Sequence, residues 1–212
     1  SGDMVKADCR GCAGCSDCCR GMGNSIILDP MDLWRLKQGI KKDFQALLEE
    51  RYIELNVVDG MILPSLRMEE KEDACPFLDE NGRCSVHAFR PGICRLFPLG
   101  RYYEEDGFRY FIQIHECSRK DRGKVKIRKW LEIPNLKAYE AYILKWHDFL
   151  KECESALDTL SEENVRILTL FVLRKFYETA YPAQDENGFY SEFSDRLREV
   201  REKFGFCANE PG

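Results

Sequence analysis

Cys9, Cys12, Cys15, Cys18 and Cys19 place five thiols within eleven residues, spaced C-x2-C-x2-C-x2-C-C. Thiolates are soft ligands, and a loop this dense in them selects zinc or an iron–sulfur cluster over hard cations. Four more cysteines, Cys75, Cys84, Cys94 and Cys117, follow in turn-forming surroundings. Cys75 precedes Pro76, Cys84 follows an Asn81-Gly82 turn, and Cys94 falls between Pro91 and Pro98. Stiff loops suit ligation, because their backbone loses little further entropy when metal binds. The competing reading makes these four cysteines buried apolar side chains, since free cysteine packs well in a core.

The ordered pieces Cys12-x2-Cys15-x2-Cys18-Cys19, Cys75-Pro76-Phe77-Leu78, Gly82-Arg83-Cys84 and Arg90-Pro91-x2-Cys94-Arg95-x-Phe97-Pro98 resemble the CxxCxxCC cysteine-cluster family. That group is described as zinc- or iron-chelating and includes flagellin lysine N-methylases. The resemblance covers residues 9 to 117. It implies that Cys12, Cys15, Cys18, Cys19, Cys75, Cys84, Cys94 and Cys117 are the chelating set, with Cys9 an addition. It also implies lysine N-methyl transfer from S-adenosylmethionine to a protein substrate, although no glycine-rich methyl-donor loop is recognisable and no catalytic residue can be named.

The choice of metal stays open between an iron–sulfur cluster and zinc. Cys9, Cys12, Cys15 and Cys19 reproduce the C-x2-C-x2-C-x3-C spacing of bacterial ferredoxins, with Arg20 where proline would stand. A structural zinc usually draws on two separated pairs, so the short spacing favours iron–sulfur, while two zinc ions would use eight thiolates as fully. Adjacent Cys18 and Cys19 are expected to point apart. His87, at C-x2-H spacing from Cys84, and His115, at H-x-C spacing from Cys117, are substitute ligands that eight cysteines make unnecessary. Arg10, Arg20, Arg83, Arg90 and Arg95 lie near the ligands and could donate to sulfur, offsetting the negative charge of a thiolate centre. Cys153 reads as core, Cys207 as a thiol without a metal role, and His147 as surface.

The elements that must position these thiols divide into a cysteine- and turn-rich region (1–130) and a helical bundle (131–212), packed as one α+β unit. Ser25 to Leu28 suggests a short strand. Asp29 and Pro30 open a helix from Met31 to Lys37 that Gly39 closes. Asp43 caps a second helix through Tyr52. Ile53 to Met68 reads as a hairpin about Asp59-Gly60, and Arg101 to Ile114 as another about Asp106-Gly107. Leu136, Tyr139, Ile143, Trp146, Leu150, Cys153 and Leu157 recur at three- and four-residue intervals and form one apolar helical stripe. Ser161 starts a second helix that Pro182 ends, and Tyr190, Phe193, Leu197, Val200 and Phe204 stripe a third, stopped at Gly205.

The chain has 212 residues, with 44% hydrophobic and 33% charged, as expected of a soluble protein with a real core. A net charge of −5 argues against general nucleic-acid binding. Arg119 to Lys129, with seven basic residues against Asp121, reads as a solvated connector. The sequence has no apolar leader or membrane-length run, and it has eleven cysteines. Together these point to a cytoplasmic, reducing compartment. Three functional classes follow: an iron–sulfur enzyme or electron carrier, a zinc-stabilised module that engages a protein partner, and a thiol-redox protein.

Overall fold

The structure is a computed structural model that describes residues 3–8, 15–118 and 122–206. The chain is α+β, with helices and, among the described residues, three separate antiparallel strand pairs. In chain order the elements are β1 (Met4–Asp8), α1 (Pro30–Ile40), α2 (Phe44–Glu49), β2 (Ile53–Val58), β3 (Met61–Leu66), α3 (Gly92–Leu96), β4 (Leu99–Glu104), β5 (Gly107–Ile112), β6 (Gly123–Lys126), α4 (Ile127–Leu131), α5 (Leu136–Leu157), α6 (Glu162–Leu173) and α7 (Glu186–Phe204). Among the described residues no helix is long and apolar enough to cross a membrane.

Local chemistry accounts for most of these boundaries. Asp29 and Asp32 form a capping box at the start of α1, and Asp43, Asn135, Ser161 and Asp185 cap α2, α5, α6 and α7. In the β2–β3 hairpin Asp59 and Gly60 both take positive φ, as its two-residue turn requires. Gly205 ends α7 in the left-handed conformation.

Several expectations need correction. Gly39 lies inside α1, which Lys41 closes at φ 57. Gly39 is there for close approach instead, because a Cβ would press into the Phe89 ring. The second helix stops at Glu49, and Arg51 turns out of it at φ 63. Ser25 to Leu28 contributes only an isolated bridge from Ile27 to Ser65, flanked by Leu28 N–H to Pro64 O and Leu66 N–H to Ile26 O. The β4–β5 turn is Glu105-Asp106, one residue earlier than expected, and Gly107 already pairs with Glu104. The helix that opens after Ser161 widens into a π turn, Arg174–Glu178, before Pro182 is reached. The basic segment is no plain connector. Gly123–Lys126 pairs antiparallel with β1, and α4 follows directly, leaving Lys124, Lys126, Arg128 and Lys129 exposed.

One hydrophobic core joins the two halves. Leu36, Leu47 and Ile53 belong to the same cluster as Phe149, Phe176 and Val200. On α5 the buried face also includes Tyr142 and Phe149, beyond the predicted stripe. Tyr142 packs on Phe193 of α7 at 4.7 Å and Trp146 on Phe176 at 5.1 Å, both edge to face. Cys153 is fully buried there, as expected of a core residue. His147 is not simply surface, because its ring stacks on Tyr103 of β4 at 3.6 Å between centroids.

Polar contacts fasten α1 to this bundle. Tyr142 Oη accepts from Met31 N–H at 3.1 Å and donates to Asp29 Oδ1 at 3.0 Å. Tyr177 Oη donates to Leu28 O, and Trp34 Nε1 to Ala183 O. The helices thereby form a platform on which the cysteine loops rest.

Candidate metal centre

Three loops and the short helix α3 converge on one cavity. The first carries Cys15 into a tight turn, Asp17–Cys19, closed by Cys19 N–H to Ser16 O at 2.8 Å. It is zipped to the second loop by Cys75 N–H to Cys19 O and Gly21 N–H to Asp73 O, both 2.8 Å. The second loop returns through Asn81-Gly82, where Asp79 Oδ1 accepts from Asn81 N–H and Arg83 N–H and Gly82 adopts φ 69. That turn brings Cys84 opposite Leu78, and Ser85 N–H bonds Phe77 O. Cys117 follows β5, and Ser118 N–H donates to Asp17 Oδ2 at 2.9 Å, tying the last loop to the first.

Cys94 is held by the short helix α3, which the core locks in place. Gly92 N–H donates to Asp32 Oδ1 at 2.7 Å, and a side chain at Gly92 would press into the Tyr139 hydroxyl. Arg95, buried beside Cys94, donates to the carbonyls of Arg90, Ala88 and Glu132. It therefore stitches loop backbones together rather than bonding sulfur. Arg20 also differs from expectation, pairing with Glu72 at the surface.

Cys15, Cys18, Cys19, Cys75, Cys84, Cys94 and Cys117 all line one cavity of about 90 Å³, walled by Ile26, Phe77, Val86 and Trp130. Cys9, Cys12, Arg10 and Cys207 lie outside the described residues. Cys18 and Cys19 do not diverge as expected. Their sulfurs are 3.8 Å apart, because the tight turn and the backbone bond to Cys75 hold both side chains toward the cavity. Among the described residues no three His, Cys, Asp or Glu side chains close into a ready cage for a single ion.

Electrostatics makes these thiols a poor set of bare anions. The hydrogen bond to Cys19, then burial and the Cys19 charge, push Cys18 far up. For Cys19 the bond from Cys18 pulls downward, but the bond to Cys75, burial, and the Cys75 and Cys84 charges outweigh it and push the thiol up to about 12. Burial raises Cys84 and Cys94, with Cys18 adding to both. Burial, with Asp17 and Cys117, likewise raises Cys15. Ionising several of them together needs a cation at their centre.

Arg90 is the protein's own contribution to that need. Its charge lowers both Cys18 and Cys84, and its Nε is buried without a hydrogen-bond partner in the cavity wall. A buried N–H left unpaired is costly, and thiolate sulfur is the acceptor chemistry this wall offers. The other guanidinium nitrogens meet His87 Nε2 and Glu132. The donor set therefore fits a thiolate-bound zinc or iron centre. His87 and Arg83 line the cavity as well, whereas His115 is exposed outside it.

Asp32 and Trp130 were not singled out from the sequence. For Asp32 the signal was available in Asp29-Pro30-Met31-Asp32, an acidic capping box, but its bond to Gly92 spans 60 residues. Trp130 carries no such signal. It donates to Phe97 O at 3.2 Å and closes the cavity from α4.

Comparison with known proteins agrees with this chemistry. A 119-residue stretch is 29% identical to an uncharacterized protein of Methanocaldococcus jannaschii, covering 54% of this chain and 38% of that protein. The chain thus spans less than two-fifths of the length of the curated relative it matches. No solved structure matches it. Residues 9–127 match the CxxCxxCC family, described as "Putative zinc- or iron-chelating domain". Since that match takes in more than half of its residues, the chain belongs to the CxxCxxCC family.

Proposed function

We propose that this chain holds an iron–sulfur centre with a redox role, using Cys12, Cys15, Cys18, Cys19, Cys75, Cys84, Cys94 and Cys117 as its ligand pool. The observation that carries the reading is the gathering of seven of those thiols, from three loops and the short helix α3, on one cavity beside the unpaired Arg90 Nε. Its volume of about 90 Å³ leaves room among the sulfurs for more than a single water-sized group. That room suits a multi-atom inorganic group.

Such a group, when bound, supplies one-electron chemistry. The chain's residues do the rest. Arg90 offsets thiolate charge, Phe77, Val86 and Trp130 exclude water, and α3 and the Asn81-Gly82 turn fix the sulfur positions. A reducing compartment would keep these thiols available.

A second reading, zinc as a purely structural ion in a protein-binding module, draws on the Cys18–Cys19 separation. Their 3.8 Å matches the sulfur–sulfur edge of about 3.8 Å expected for a tetrahedron with Zn–S near 2.3 Å. Oxygen-free purification with iron, acid-labile sulfide and zinc analysis separates the two. Brown protein with iron and sulfide in equal amounts is expected. Colourless protein with stoichiometric zinc overturns the iron–sulfur reading. Label transfer from S-adenosylmethionine to a lysine-rich protein tests the methylase activity suggested by the family resemblance.

A further inference from the structure

We propose that the exposed face of the β1–β6 ribbon, together with the solvent side of α4, is a docking surface for an acidic protein partner. Residues along β1 alternate, with Met4 and Lys6 exposed and Ala7 fully buried. β6 repeats the pattern, with Lys124 and Lys126 exposed about buried Val125. The register sets Met4 opposite Lys126 and Lys6 opposite Lys124, so these four side chains share one face. α4 continues directly from β6 and adds exposed Arg128 and Lys129. Ile127 N–H donates to Asp3 O at 3.0 Å, which fastens the helix to β1.

Five cations thus stand together on a chain whose net charge is −5. Among the described residues no ion pair takes up any of them. Acids that follow in the sequence are engaged with other groups: Glu132 pairs with Arg90, and Glu140 accepts from Tyr110. Like charges directly opposite in a ribbon are destabilising, so the Lys6–Lys124 pair costs the free protein stability. Lysine on an exposed strand edge deters strand addition, but that purpose needs neither an opposed pair nor the two cations that follow on α4. Carboxylates laid across this face replace the repulsion with attraction.

The relief beside the cations favours protein over nucleic acid. Lys126, Arg128 and Lys129 rim a groove of about 520 Å³ whose other walls are Ile133, Pro134 and Leu136. Among the described residues no aromatic side chain lines this groove to stack a base. Exposed Met4, opposite Lys126, extends the apolar part onto the ribbon. Cations set around an apolar wall suit a segment that alternates carboxylates with aliphatic side chains. The same helix sends Trp130 to close the thiol cavity, so the docked partner would rest on an element that walls the centre. Docking stands whichever metal the centre holds. That the partner exchanges electrons with it rests on the iron–sulfur reading above.

The test titrates the full, metal-analysed chain with a blocked peptide repeating Asp-Glu-Leu-Glu, its Asn-Gln-Leu-Gln counterpart and an oligothymidylate of the same charge, followed by calorimetry. Saturable binding of the acidic peptide is expected, at least tenfold tighter than the amide counterpart and tighter than the oligothymidylate. Its affinity should fall at least tenfold as salt rises from about 50 to about 300 mM, because exposed charges are screened. Lys124→Glu with Lys126→Glu should weaken the peptide at least tenfold. Lys71→Glu with Arg166→Glu, at exposed sites elsewhere that change net charge equally, should leave it within twofold. Should the first variant fail to fold, Arg128→Gln with Lys129→Gln tests the groove and should weaken the peptide at least fivefold. The proposal is overturned if the peptide does not saturate, if its amide counterpart binds alike, if the oligothymidylate binds more tightly, or if the charge-matched control loses as much affinity. Peptide binding by a colourless zinc protein would keep the docking face while removing the electron-exchange role.

Discussion

Gly92 and Asp32 are joined by a 2.7 Å bond from the Gly92 backbone N–H to the buried carboxylate, across 60 residues of sequence. The helix bearing Cys94 is thereby fastened to the helix that begins the hydrophobic core. Tyr139 lies against the same point, so Gly92 has no room for a side chain. Gly92→Ala should cost about 1–3 kcal/mol by overpacking a fully buried tyrosine. Thermal unfolding would measure that cost, and the metal content of the purified variant should fall with it.

The acidic pair Asp29 and Asp32 makes stability depend on pH. Burial raises both, and for Asp32 the Asp29 charge adds to the effect. An acid whose pKa is raised on folding binds more protons in the native state than in the unfolded one. Stability is then full below the ordinary carboxylate range near 4 and is lost as pH rises through the elevated native values. Denaturant unfolding from pH 5 to 8.5 should show declining stability, and Asp32→Asn should flatten that slope. An unchanged slope in the variant would count against this assignment.

Arg95→Leu removes a charged donor from three loop carbonyls. Hydrogen bonds from a charged group contribute about 1.5–3 kcal/mol, so a loss of about 2–3 kcal/mol is expected. Metal occupancy should drop as well, because Cys94 and the segment after Cys84 lose their tether. Arg95→Lys should rescue only part of this, since one ammonium cannot reproduce the planar fork.

Cysteine substitutions should separate into two classes. Cys75→Ser and Cys84→Ser change side chains on the thiol cavity and should lower bound metal at least twofold. Cys153→Ala lies in the α5 core, loses only a small buried side chain, and should cost about 1 kcal/mol with metal content intact. Loss of metal in the Cys153 variant would mean that the helical core and the centre are not separable.

Chelation should unfold the cysteine loops before the helices. Structural thiolate sites contribute about 10–16 kcal/mol on binding, comparable with the whole stability of a domain at about 5–15 kcal/mol. Hydrogen exchange after metal removal should therefore rise across 69–96, while the α5–α7 amides stay protected. Because ligation releases thiol protons, the metal should also leave more readily as pH falls.

The two halves of the chain were unequally legible. Local rules located the Asp59-Gly60 hairpin, the Tyr190–Phe204 stripe with its stop at Gly205 and the Tyr139–Trp146 stripe, because turn chemistry, capping and helical period act within a few residues. Those rules failed at Gly39, whose reason is Phe89, 50 residues away, and at β6, which pairs with β1 across more than 100 residues. They also misplaced Arg95, whose acceptors are carbonyls of folded loops.

By itself, the order of thiols, prolines and glycines determined the donor chemistry and the family, since soft-ligand selection depends on residue type and spacing alone. The tertiary structure decided which thiols face a common cavity, that Cys18 and Cys19 stand 3.8 Å apart, and that Arg90 and Arg101 are left with unpaired nitrogens. Convergence of side chains is set by packing between distant segments, and a linear pattern carries no distance between residues that only the folded core brings together.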